Sequence, residues 1–89
     1  MIKIVCVQPL EGHQLRLEFS DGSAGDYDVR PLVRKATELT RPLEDPAFFG
    51  SVFLELGALA WPNGLELSPS ALHAELERQG ALRQVRSVA

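Results

Sequence analysis

The stretch 15-LRLEFSDGSAGDYDV-29 fixes the register of a β-hairpin. Leu15, Leu17 and Phe19 alternate with Arg16 and Glu18, the period-two pattern of a strand with one wet face. A two-residue turn at Asp21-Gly22 would set Leu17 opposite Asp26 and Leu15 opposite Asp28, driving carboxylates onto the apolar face, where ionised side chains are costly. A three-residue loop, Ser20-Asp21-Gly22, with Gly22 in the left-handed position of a bulged turn, instead sets Leu15 opposite Tyr27 and His13 opposite Val29 on the buried face. The other face then carries Arg16 opposite Asp26 and Gln14 opposite Asp28, a polar ladder worth on the order of 0.2 to 1 kcal/mol per pair. The aspartates therefore read as architecture. Their spacing does not fit a calcium loop, and no metal is expected on Asp21, Asp26 or Asp28.

Before the hairpin, 2-IKIVCVQP-9 is β-branched and apolar nearly throughout, which predicts a central strand covered on both faces, ended by Pro9, with Cys6 packed inside as a small hydrophobe. After it, Pro31 suits the first position of a short helix with Leu32, Val33 and Ala36 on its apolar side. Two prolines in 37-TELTRPLEDP-46 predict a surface loop, and Asp45 then caps a turn begun by Pro46 that drives Phe48 and Phe49 into the core. Val52, Leu54 and Leu56 alternate with Phe53 and Glu55, predicting a strand that stops at Gly57. Residues 58-ALAW-61 and 65-LEL-67, joined by Pro62-Asn63-Gly64, read as a tight reversal. Ser68-Pro69 opens a helix running to about Gln79, with Leu72 and Leu76 on its docking face and Gly80 as terminator. The expected fold class is α+β: a small, mostly antiparallel sheet of four to five strands with two short helices, one domain over 1–79 and a C-terminal tail over 80–89.

At 89 residues there is room for one small core, and 45% hydrophobic with 24% charged residues is a composition that folds rather than stays disordered. No apolar run approaches the roughly 20 residues that cross a bilayer, the N-terminus lacks a cleavage-site pattern, and a lone cysteine makes no internal disulfide, so a reducing cytoplasm is expected. The net charge of -3 is uneven: residues 1–77 hold all twelve acids and six of nine basic residues, while Arg78, Arg83 and Arg86 lie beyond. An acidic body repels phosphate backbones, leaving the arginine tail as the only part suited to nucleic acid.

Constellations for catalysis are thin. His13 and His73 are far apart in sequence, without a Ser or Cys in a nucleophile-elbow context, and there is no phosphate loop, C-x-x-C or H-E-x-x-H. His73 with Glu77 four residues on reads as a surface pair on a helix. No enzyme activity and no cofactor are expected. Trp61 is either a core plug or a contact anchor.

The succession of Phe-Ser-Asp-Gly and a Gly-x-x-Asp pair in 19-FSDGSAGDYDV-29, the segment 43-LEDPAFF-49, and Trp-Pro-Asn-Gly with a Pro-x-x-Leu-His ending in 61-WPNGLELSPSALH-73 resembles the DUF2442 family of small bacterial proteins of unknown function. The resemblance spans roughly residues 2 to 73 and leaves out the tail. It implies a small α+β domain; some members are fused to a helix-turn-helix, and some are encoded beside a second small protein in pairs resembling toxin and antitoxin. It transfers no catalytic residue.

The expected function is accordingly that of a protein-binding or regulatory domain, antitoxin-like by resemblance, with a small nucleic-acid-contacting regulator or an uncharacterised enzyme as the alternative. A protein partner or self-association is expected, since so short a chain leaves apolar surface or a sheet edge uncovered. Trp61 and Asn63 at the tight turn, and Leu82 and Val85 in the tail, are the candidate contact residues, Leu82, Val85 and Val88 recurring every three residues beside arginines.

Overall fold

The computed structural model describes residues 1–84. Three strands open the chain as an antiparallel meander: β1 (Ile4–Leu10), β2 (Gln14–Phe19) and β3 (Ser23–Asp28). The hairpin register is the one dictated by keeping carboxylates out of the core, with Leu15 opposite Tyr27, Arg16 opposite Asp26 and Gln14 opposite Asp28. Gly22 takes φ +86°, and its N–H donates to Phe19 O at 3.0 Å, closing the three-residue loop.

The chain then forms α1 (Arg30–Lys35), a 3-10 turn (Arg41–Glu44) and the single-turn α2 (Pro46–Phe49), whose first amides are capped by Asp45 accepting from Ala47 N. The segment between α1 and α2 is not merely a surface loop, because Leu43 on the 3-10 turn is fully buried. A second, three-stranded sheet follows, built from β4 (Phe53–Glu55), β5 (Ala58–Ala60) and β6 (Glu66–Leu67), and then α3 (Pro69–Arg78), capped at its start by Ser68 accepting from Ala71 N. The fold class is α+β, with two small antiparallel sheets in place of one and three α-helices. No described helix is long and apolar enough to cross a membrane.

One core joins these layers. Leu15, Leu17 and Phe19 from the hairpin meet Leu43, Phe49, Leu59, Trp61 and the α3 residues Leu72 and Leu76, all buried. Trp61 is a core plug, 1% exposed, and its indole N–H donates to Phe49 O at 3.1 Å, so its polar atom is satisfied inside. Helix α3 and the chain leaving it approach the sheet closely at Gly25, where a Cβ would lie 3.1 Å from Leu76 Cδ1 and 2.8 Å from Ala81 O.

Three expectations are corrected. Strand β1 is the edge of its sheet, not the centre, and Val5, Cys6, Gln8 and Pro9 are exposed; the Cys6 thiol is free on the surface. Composition misled here because a β-branched run suits an edge as well as a centre, and a chain this short cannot cover both faces. Pro9 lies within the strand, opposite Leu15, since an edge position tolerates its missing N–H. Leu56 does not continue β4: it occupies the turn to β5 and is 93% exposed. The chain after α3 also supplies β7 (Arg83–Gln84), which pairs with β3.

Candidate functional site

The hairpin loop and helix α3 meet at a small polar cluster. Asp21 Oδ1 accepts from Ser23 N at 3.0 Å and from Ser23 Oγ at 2.5 Å, while its Oδ2 accepts from His73 Nε2 at 2.9 Å. The His73 ring stands edge-on to Phe19, centroids 4.9 Å apart. His73 thus pairs with Asp21 and not with Glu77, a partner 52 residues away that helical spacing does not indicate. The bonds from Ser23, foremost, and His73 hold the Asp21 carboxyl down at about 2. Asp21 sits between the hydroxyl and the imidazole, the reverse of a nucleophile relay, in which the imidazole must touch the hydroxyl. The cluster is a clasp between loop and helix. Because the folded-state pKa lies below the unfolded value near 3.8, its stabilising contribution is complete above about pH 4 and disappears as pH falls toward about 2. Asp21→Asn should therefore flatten the acid limb of the stability curve in that window; acid titrations followed by circular dichroism would show identical limbs if the clasp contributed nothing.

On the outer face of the hairpin, Arg16 Nε donates to Asp26 at 3.0 Å, and Asp28 accepts not from Gln14 but from its neighbour Arg30, at 2.8 Å. Both carboxyls are lowered by their arginine hydrogen bonds. These pairs are solvent-exposed and worth little. Among the described residues no group of three or more His, Cys, Asp or Glu is placed to hold a metal ion.

Most of the candidate contact residues face inward. Trp61 is buried, as described. Asn63 accepts from Leu65 N at 3.1 Å and donates to Leu39 O at 3.0 Å, so both ends of its amide bind the fold together. Leu82 is half-buried against the core. Val85 lies outside the described residues, as does Val88.

Of the exposed large apolar side chains, Leu39 lies by Asn63, and Val5, Phe53 and Leu56 lie elsewhere. Ile4 N donates to Gly57 O at 2.9 Å, stitching β1 to the β4–β5 turn. Val5 and Leu56 each adjoin this bond in sequence and are 52% and 93% exposed; Phe53, on β4, is 43% exposed. The turn itself is strained. It has two residues, Leu56 at φ +51° and Gly57 at φ +86°, a geometry that favours Asn or Asp followed by Gly and disfavours leucine. The side chain gains no burial in return. From Pro42 to Glu77 the sequence holds six acids and no Lys or Arg, but the Lys3 side chain packs against Gly57 at the turn itself. Sequence alternation concealed this site by making Leu56 look like one more inward strand residue.

A cleft of about 500 Å³ opens between α1 and α3. Leu32, Leu67 and Leu72 give it an apolar floor, with Tyr27, Lys35 and Glu75 around it. Burial, followed by the charges of Glu75 and Asp28, pushes the Tyr27 hydroxyl upward, so it stays protonated at neutral pH.

No curated protein and no solved structure matches the chain. The family model described as "Protein of unknown function (DUF2442)" matches residues 4–77, nearly the whole of both sheets and all three helices. With that match the motifs of the hairpin, the Asp-Pro turn and the Trp-Pro-Asn-Gly reversal fall into one frame, and the chain belongs to the DUF2442 family.

Proposed function

We propose that this chain is a non-enzymatic protein-binding domain of regulatory type, the antitoxin-like member of a two-gene pair, acting in the bacterial cytoplasm. The observation that supports this reading is Leu56: a leucine held in the left-handed region at the tip of a hairpin and almost wholly exposed. A left-handed residue of this type costs on the order of 1 kcal/mol, and an exposed leucine returns nothing until a partner buries it. The placement of Asp21 between Ser23 and His73 favours a structural role for the histidine, which is consistent with a domain that binds and does no chemistry. The acidic body favours a protein partner over a nucleic acid.

Leu56→Asn is the test, because asparagine suits the turn and keeps the fold. Tagged wild-type and variant chains, expressed in the native host, should differ by one stoichiometric protein retained only by the wild type, with the product of an adjacent reading frame as the first identity to check. Identical retained proteins on both chains would remove Leu56, and with it this reading.

A further inference from the structure

We infer that Asn63-Gly64, at the reversal between β5 and β6, is a covalent modification site that the fold holds shut: the asparagine deamidates when the reversal opens. Asn63 is the only asparagine in the chain, and a glycine follows it. That pairing is the labile one, because glycine has no Cβ to hinder approach of its backbone nitrogen to the preceding side chain, and its backbone reaches the conformations the approach needs. The reaction is a ring closure followed by hydrolysis. Gly64 N gives up its proton and attacks Asn63 Cγ; the N–Cγ bond forms, the Cγ–Nδ2 bond breaks, and Nδ2 leaves with that proton as ammonia. Water then adds to one or other carbonyl of the succinimide, leaving aspartate or isoaspartate at position 63. Water is the only co-reactant, and nothing is oxidised or reduced.

In the folded chain the reacting groups are tied. Gly64 N donates to Trp61 O at 3.1 Å, Asn63 Nδ2 donates to Leu39 O at 3.0 Å, and Asn63 Oδ1 accepts from Leu65 N at 3.1 Å. Attack therefore requires breaking the amide's own bond and turning a side chain held at both ends. The anchors are firm, since Trp61 and Leu65 are buried and Trp61 N donates to Leu65 O at 2.9 Å across the reversal. Burial does not supply this protection: Gly64 is exposed, and a Cβ there would meet nothing within 4 Å, so water reaches the turn. The products do not fit the same place. Aspartate lacks the Nδ2 donor and sets a carboxylate oxygen against Leu39 O, while isoaspartate routes the backbone through Cβ and Cγ, adding an atom to a turn closed by the Trp61–Leu65 bond. A chain that deamidates while open is hindered from closing again, so the mark works one way.

Peptide mapping by mass spectrometry tests this on the full chain, held in one mildly alkaline buffer either folded or unfolded in guanidinium chloride. Deamidation raises the mass of the peptide holding Asn63, whereas isomerisation at Asp21-Gly22 changes no mass, so the two are told apart. The unfolded chain should deamidate at Asn63 faster than the folded one by about tenfold or more, since the folded reversal must open first. An aged unfolded sample, returned to native buffer, should separate on size exclusion into a refolded fraction that keeps Asn63 and an expanded or aggregated fraction enriched in isoaspartate at that position. Equal rates in the folded and unfolded chains would overturn the inference, as would an unfolded chain that keeps its amide. Product spread evenly over both fractions would overturn the one-way step. If a briefly unfolded control itself fails to refold, the melting of an Asn63→Asp chain replaces the fractionation; a Tm below wild type is expected, and an unchanged Tm would count against the one-way step.

Discussion

Phe49→Ala is expected to cost about 3 to 5 kcal/mol of folding free energy. Phe49 is 5% exposed, lies on the one-turn helix α2, and its ring stands 5.1 Å from that of His13. Truncation therefore opens a cavity where the hairpin, α2 and the second sheet meet, and the surrounding backbone is pinned: Phe49 O accepts from the Trp61 indole and His13 Nε2 donates to Leu43 O at 2.9 Å. A site held on several sides collapses poorly, which places the cost toward the upper end of its range. For a domain whose total stability is on the order of 5 to 15 kcal/mol, this lowers Tm by more than about 12 °C. Differential scanning calorimetry would read it, and an unchanged Tm would mean that Phe49 is not part of the core.

The second large effect comes from adding atoms. Gly25→Ala places a methyl group 2.8 Å from the backbone carbonyl of Ala81 and 3.1 Å from Leu76 Cδ1. A flexible side-chain tip gives way cheaply, but a backbone carbonyl following a helix does not, so the end of α3 must lift from the sheet. The expected loss is about 1 to 3 kcal/mol, with the damage concentrated at α3 and β7. Hydrogen exchange should show it: the amides of Ala81 and of the last turn of α3, which donate to Leu76 O, Glu75 O and Glu77 O, would exchange faster while the β1–β2 amides keep most of their relative protection. Equal loss everywhere would mean that α3 does not move as a unit.

The hairpin was legible from sequence because its constraints are local. Strand side chains alternate with period two, so only one loop length keeps Asp26 and Asp28 off the face of Leu15 and Leu17, and Gly22 supplies the left-handed residue that loop needs. Caps and terminators were legible for the same reason: Asp45, Ser68 and the paired leucines of α3 act within a few residues of themselves. What stayed hidden depends on the surroundings. Whether 2-IKIVCVQP-9 is an edge or a centre depends on what lies beside it, which the run does not encode. The Asp21–His73 clasp joins positions 52 apart. Leu56 kept the alternation of β4, and only the two-residue connection to β5 turned it outward. Asn-Gly at 63–64 announces its turn, whereas Leu-Gly at 56–57 does not, and the leucine that sequence rules least expect in a turn is 93% exposed.

The contact role of Leu56 is tested most directly by placing a photo-crosslinking amino acid at position 56 of the full chain in the native host, with the same residue at exposed Gln8 on the outer face of β1 as the control. Light should produce a discrete protein adduct from position 56, either with a second copy or with another protein, and none from position 8. No adduct at position 56, or the same adducts from both positions, would contradict a binding surface at the β4–β5 turn.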